Sequence, residues 1–207
     1  MVHSDDKGLI LPPRAAPIKI VIVPIIFKEG KEEVLNRCKE VQNILGKKYR
    51  VNLDDRDGYT AGFKFNEWEL KGIPIRMEIG PRDVKNNKVV IVRRDTSEKI
   101  ILSMENLAQE VDNILEDIQT NLFKTAKEFL EKNTLSPKDY NELSDILNNQ
   151  KGIAKISWCG EGCCEEKINE ETSATSCCIP INQEGLEKKC IVCGQEAKKV
   201  ILFAKHY

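Results

Sequence analysis

Histidine is almost missing. His3 and His206 are the only two in 207 residues, and each lies near a terminus. A histidine-centred triad or general base is therefore not expected in the body of the chain. Other absences narrow the chemistry further. "ILGKKY" lacks the leading glycine and the Ser/Thr of a phosphate-binding P-loop, and neither G-x-G-x-x-G nor H-E-x-x-H occurs. The longest apolar run, about Ile18 to Phe27, is too short to span a bilayer and contains Pro24. The first residues, "MVHSDDKG", have no apolar stretch, so no signal peptide and no membrane partner are expected. Net charge is −1, which leaves no global basic field to attract nucleic acid.

What is present is a charged, helix-rich composition, with 31% Asp, Glu, Lys and Arg and 6% aromatics. Gly8 to Pro17 is Pro-rich and reads as an extended linker. Strand and helix signals then alternate. "IKIVIVPII" is a buried strand, and "GKEEVLNRCKEVQNILGKK" is an amphipathic helix with Val34, Cys38, Val41 and Leu45 on one stripe. "YRVNLDD" is a strand, with Asp54 and Asp55 solvating its end. "AGFKFNEWELKG" is a short helix, and "NNKVVIVRRD" and Lys99–Leu102 add further strands. A long helix from Met104 to about Lys132 presents Leu107, Val111, Ile114, Ile118, Leu122, Ala126 and Phe129 on one side. The alternation predicts an α/β domain, a mixed sheet flanked by helices, over residues 18–132. Residues 1–17 read as linker. Residues 133–151 read as a linker helix region, with Ser136 as cap and Pro137 at the first helical position.

From residue 152 the character changes to a small, cysteine-rich α+β domain, 152–207. All eight cysteines except Cys38 lie here. "CGEGCCEE" and "CIVCG" have the spacing of two half-sites of a tetrahedral zinc knuckle, and Gly160, Gly162 and Gly194 permit the tight turns. Adjacent side chains seldom bind one ion, so one member of Cys163–Cys164 is a bystander, as is one of Cys177–Cys178. A segment this poor in apolar residues needs a metal to supply folding energy.

One strand carries an unusual pattern. In "KGIPIRMEIGPRD", Ile73, Ile75, Met77 and Ile79 alternate on one face, with Arg76 and Glu78 on the other. A Gly-Pro turn follows, then a second acid–base pair, Arg82 and Asp83. Surface ion pairs add little stability, so the pairs invite a functional explanation.

The stretches "DDKGLILPPRAAPIKIVIVPI", "LDDRDGYTAGFKFNEWELKGIPIRMEIGPRD", "VVIVRRDTSEK", "WCGEGCCEE", "CIP", "CIVCG" and the final "KHY" together resemble the C-terminal part of prolyl-tRNA synthetase of the archaeal and eukaryotic type. The resemblance covers nearly the whole chain. It implies an anticodon-binding domain, a linker helix and a C-terminal zinc-binding domain, acting with proline tRNA in the cytoplasm. It implies that a catalytic domain of the same enzyme, with the ATP and Mg2+ sites, precedes this segment and holds together a homodimer. It places anticodon contacts on Glu69, Arg76, Arg82, Asp83 and Lys99. It places Zn2+ ligands on Cys159, Cys164, Cys190 and Cys193, with Cys178 as the rival. It also sends the Tyr207 carboxylate toward the catalytic domain. The alternative is a free-standing RNA-binding or regulatory accessory module without ligase activity.

Overall fold

The computed structural model describes residues 3–26, 30–150 and 152–205. The chain divides into two compact units, Met1–Thr125 and Ala126–Tyr207. The expected role of Tyr207 lies outside the described residues.

The first unit opens with two short paired strands, β1 (Ser4–Asp5) and β2 (Gly8–Leu9). The main sheet has five strands: β3 (Ile20–Pro24), β4 (Val51–Leu53), β5 (Ile75–Ile79), β6 (Lys88–Arg93) and β7 (Lys99–Ser103). Their order is β4-β3-β5-β6-β7. β3 pairs parallel with β4 and β5, and the remaining neighbours are antiparallel. The sheet is mixed, as the alternation predicts. β3 is buried along its whole length because both faces are covered, which is why it reads as an unbroken apolar run.

Helix α1 (Lys31–Gly46) buries Val34, Cys38, Val41 and Leu45, the stripe expected from the sequence. Burial pushes the Cys38 thiol up to about 12, so it is a packing residue. Together with α4 (Leu107–Asn133), α1 covers one face, against Ile75, Met77, Ile79, Val89 and Ile91. Burial on α4 ends at Ile118. Leu122 is half-buried, and Ala126 and Phe129 are exposed, so the second half of the expected stripe is not core.

Helix α2 (Ala61–Leu70) covers part of the other face. Trp68 packs there with Val21, Val23 and Ile73. Ile73 therefore lies on the opposite face from Ile75, contrary to the simple alternation. It precedes the strand, just after Gly72 turns the chain through φ +71°, and its N–H bonds the Trp68 carbonyl. The Gly-Pro segment is also more than a turn: it opens the short helix α3 (Pro81–Lys85).

The N-terminal segment is not a loose linker. Asp5 is held bidentately by Arg94 at 2.6 and 2.9 Å, and the Leu11 N–H donates to the Gly72 carbonyl at 3.2 Å. The Arg94 hydrogen bonds keep the Asp5 carboxyl well below the ordinary carboxylate range.

In the second unit β8 (Thr134–Leu135) begins a four-stranded sheet. Helix α5 (Tyr140–Asp145) leads into a π-helical turn, Ile146–Gln150, and then β9 (Ile153–Trp158), α6 (Gly162–Thr172), β10 (Ala174–Cys178) and β11 (Lys199–Lys205). The order is β10-β11-β9-β8. Asp139, not Ser136, caps α5, accepting the Glu142 N–H at 2.9 Å. Leu143, Ile146 and Leu147 join Ile156, Ile168 and Phe203 in this unit's core. The segment expected as a linker is thus part of the packed unit. Among the described residues no helix is long and apolar enough to cross a membrane.

Asp54 does more than solvate a strand end. It is 2% exposed. Its carboxylate accepts from Arg56 at 2.7 and 2.8 Å and from Trp68 Nε1 at 2.7 Å, and Lys64 lies 3.7 Å away. Burial alone would raise its pKa, but these hydrogen bonds and cationic charges outweigh burial and hold it far below the ordinary value. A carboxylate depressed in the folded state stabilises fully above its unfolded value, about 3.9. That contribution is lost as pH falls through the depressed value. Asp54→Asn should cost about 3 kcal/mol at pH 7, since it leaves the buried Lys64 ammonium underpaired, and should weaken acid sensitivity. Urea unfolding followed by circular dichroism at pH 7 and below pH 4 checks both. A cost within about 0.5 kcal/mol, typical of surface changes, would refute this role.

Candidate nucleic-acid interface and metal centre

Where α2 leaves the sheet uncovered, the alternation of the strands becomes visible chemistry. β5 turns Ile75, Met77 and Ile79 into the core and presents Arg76 and Glu78 on the other face. Register carries that face across the sheet: Arg76 is opposite Val92, and Val92 is opposite Lys99. The result is a cavity of about 200 Å³ bounded by Arg76, Val92 and Lys99 below, by Trp68 and Glu69 of α2, and by Lys7 of the β1–β2 hairpin. This is smaller than a drug-sized pocket and suits a single planar ring system.

Its polar groups are arranged as a chain. Glu78, 5% exposed, accepts from Arg76 Nε at 3.2 Å and Nη2 at 3.0 Å, and from Lys99 Nζ at 3.4 Å. The Arg76 guanidinium lies over the Phe65 ring, 4.4 Å from its centroid. Arg76 is therefore fixed from two sides, and removing it would leave a buried carboxylate with one cation. Arg93 also borders the cavity but is committed to Asp95 and Asp117. Arg94 is committed to Asp5 and to the Glu69 carbonyl. The Glu69 carboxylate is paired with Lys7 at 3.5 Å.

Of the five residues singled out by resemblance, the structure brings Glu69, Arg76 and Lys99 to one cavity. Arg82 and Asp83 lie apart from its lining, in α3. Arg82 is exposed, and the Asp83 carboxylate accepts the Gly80 N–H at 2.8 Å, capping that helix. Sequence reasoning missed Lys7 and left Glu78 without a role. The turn composition of "SDDKGL" was the signal for a hairpin. A carboxylate facing cations can take two adjacent donors of a planar base, while Arg or Lys supplies the neighbouring acceptor.

The second unit gathers four thiols. The sulfurs of Cys159, Cys164, Cys190 and Cys193 lie within 4.8 Å of one another. Cys159 follows β9, Cys164 is in the first turn of α6, and the other two flank a knuckle closed by Gly194 N–H to the Cys190 carbonyl at 2.9 Å. Gly160 and Gly194 hold φ of +95° and +74°, which the turns require. Sulfur separations of 3.6 and 3.8 Å for two pairs match a tetrahedron with metal–sulfur bonds of about 2.3 Å, whose edges are about 3.8 Å. Burial pushes the Cys164 thiol far up, helped by its thiol neighbours. Burial opposes ionisation of Cys190 too, yet backbone N–H groups of Cys193 and Val192 bring it down to about 7. This donor set fits a thiophilic cation. Cys163, Cys177 and Cys178 are exposed and outside the group.

Residues 19–114 match the family described as "Anticodon binding domain", and residues 140–207 match "Prolyl-tRNA synthetase, C-terminal". A "Proline--tRNA ligase" of Alkaliphilus oremlandii (strain OhILAs) is 46% identical over 207 residues, covering 100% of this chain and 43% of that protein. A "Proline--tRNA ligase 2" of Bacillus cereus (strain ATCC 10987 / NRS 248) shows 46% identity with the same coverage. A "Proline--tRNA ligase" of Natranaerobius thermophilus is 44% identical over 209 residues, again with 43% of that protein covered. The chain thus spans less than half the length of these curated relatives. They come from bacteria, so they do not support the archaeal and eukaryotic label of the resemblance.

The thiol group generates a direct expectation. Chain purified under reducing conditions should hold about one equivalent of tetrahedral metal. Cys159→Ser or Cys193→Ser should release it, and Cys163→Ser and Cys177→Ser should retain it. Elemental analysis reads both, and unchanged metal in the first pair would contradict the ligand set.

Proposed function

We propose that this chain, an anticodon-binding domain with a prolyl-tRNA synthetase C-terminal domain, is the part of a proline–tRNA ligase that reads the anticodon of proline tRNA. Proline codons are CCN, so the cognate anticodons share two guanines. Single-stranded bases are read on their Watson–Crick edges. A guanine edge offers two adjacent donors, N1–H and the exocyclic amine, beside the acceptor O6. The Glu69 carboxylate takes the two donors, and Arg76 or Lys99 donates to O6. The observation that carries this reading is the convergence of Glu69, Arg76 and Lys99 on one base-sized cavity in a domain of the anticodon-binding family. The second guanine falls to Arg82 and Asp83 of α3, where Asp83 also holds the Gly80 N–H.

The four thiolates hold Zn2+ in a closed structural site, which supplies folding energy to the second unit and has no open position for catalysis. Attachment of proline, with its ATP and Mg2+, belongs to the remaining length represented in the relatives. The homodimer and the cytoplasmic setting belong to that full enzyme.

Titration with proline tRNA, and with the same tRNA lacking both anticodon guanines, tests this. Glu69→Ala and Arg76→Ala should each lose about 1–3 kcal/mol for the cognate RNA, by analogy with bidentate base contacts in DNA. The loss should be much smaller for the substituted RNA. Because Arg76→Ala also unbalances Glu78, the ratio between the two RNAs is the readout. Equal losses on both would show that these residues hold backbone only.

A further inference from the structure

The β1–β2 hairpin is built into the reading cavity rather than hung beside it. Its backbone touches the end of α2: a Cβ at Gly8, which holds φ +133°, would come within 2.5 Å of Leu70 Cα, and one at Gly72 within 2.6 Å of Leu9. Only glycine permits this approach from either side. Arg94, 5% exposed at its side chain, latches three elements at once. It donates to the Asp5 carboxylate, to the Gly8 carbonyl at 3.2 Å and to the Glu69 carbonyl at 3.1 Å. The hairpin turn is tightened by Lys7 N–H to Asp5 Oδ1 at 2.9 Å. This frame points Lys7 at Glu69, the carboxylate assigned to the guanine edge.

Resting on the anticodon reading above, we propose that Lys7 is a further RNA-recognition residue. It neutralises Glu69 in the free protein and passes to an RNA phosphate when a guanine takes the carboxylate. Three features support the exchange. The ion pair is loose, at 3.5 Å, with Lys7 62% exposed, so breaking it costs little. Lys carries a mobile point charge, unlike the fixed guanidinium of Arg94, and serves phosphate at no set angle. Finally, the turn places that charge at the cavity rim, where the backbone of an inserted base must pass.

The exchange predicts a salt effect that depends on the base. The probes are two anticodon stem-loop RNAs, one with both guanines and one with adenines in their place. Binding by the full chain is measured across a salt series. With the guanine RNA, Lys7→Ala should flatten the slope of log K against log salt by about 0.7, one single-strand phosphate contact. Lys7→Arg should restore it. With the adenine RNA, Lys7 stays on Glu69 and the slope should not change. Thermal melting confirms that the exposed substitution leaves the fold intact. No slope change with the guanine RNA would overturn the proposal. An equal change with both RNAs would show a phosphate contact independent of Glu69, and would overturn it too. If wild-type protein binds both RNAs alike, the guanine reading itself fails, and this inference with it.

Discussion

The geometry of the first unit turns on one buried carboxylate. Asp54 emerges from the end of β4, and its own N–H is bonded to the Ile22 carbonyl of β3 at 2.9 Å. Its oxygens reach across to Trp68 Nε1 on α2, while Lys64 of the same helix donates to its backbone carbonyl at 3.0 Å. Two strands are thereby joined by a backbone bond, and the helix is fixed to them by charge-assisted bonds in a dry setting, where such bonds are strong and an unpaired group is costly. The position of α2 decides where Phe65 and Glu69 stand above the sheet. Arg76 is then trapped between the Phe65 ring and Glu78. The cavity inherits its shape from Asp54, although Asp54 is not part of its lining.

The two units solve the same problem differently. The first is large enough to bury continuous apolar strands under α1 and α4, so its other face can carry ionised groups. The second has a small apolar core, with Phe203 and Ile156 at its centre. Beside it the chain crosses over at four thiols instead of at further apolar contacts. A metal held there, as proposed, is the kind of staple that small domains with limited burial use.

Local periodicity was a good guide wherever one element meets one partner. The α1 stripe and the succession of strands along residues 20–103 follow from it. The cysteine spacing marked two half-sites, and the fold gathers Cys159, Cys164, Cys190 and Cys193 because they sit at tight turns. The failures have a common origin in contacts far apart in sequence or in caps that the pattern does not reveal. Lys7 and Glu69 are neighbours through the glycine-to-backbone packing and the Arg94 latch, which no periodicity encodes. Asp83 lies outside the cavity lining and caps α3 through the Gly80 N–H, a contact that its place in an acid–base pair did not reveal. Asp54 looked like a solvated strand end because its partners, Lys64 and Trp68, lie on the next helix. Residues 133–151 looked like a linker because their apolar residues are few, yet Leu143 and Leu147 are buried.

The central claim is that a carboxylate and a guanidinium at one cavity read one guanine edge atom by atom. Stem-loop RNAs in which a single anticodon guanine is replaced by inosine, which lacks the exocyclic amine, isolate the carboxylate's share. Wild-type protein should bind the inosine RNA about tenfold more weakly, the loss of roughly one hydrogen bond to a charged group. Glu69→Ala should bind the guanine and inosine RNAs equally. If Glu69→Ala keeps the full tenfold preference for guanine at both anticodon positions, the carboxylate does not read the base, and the account is wrong.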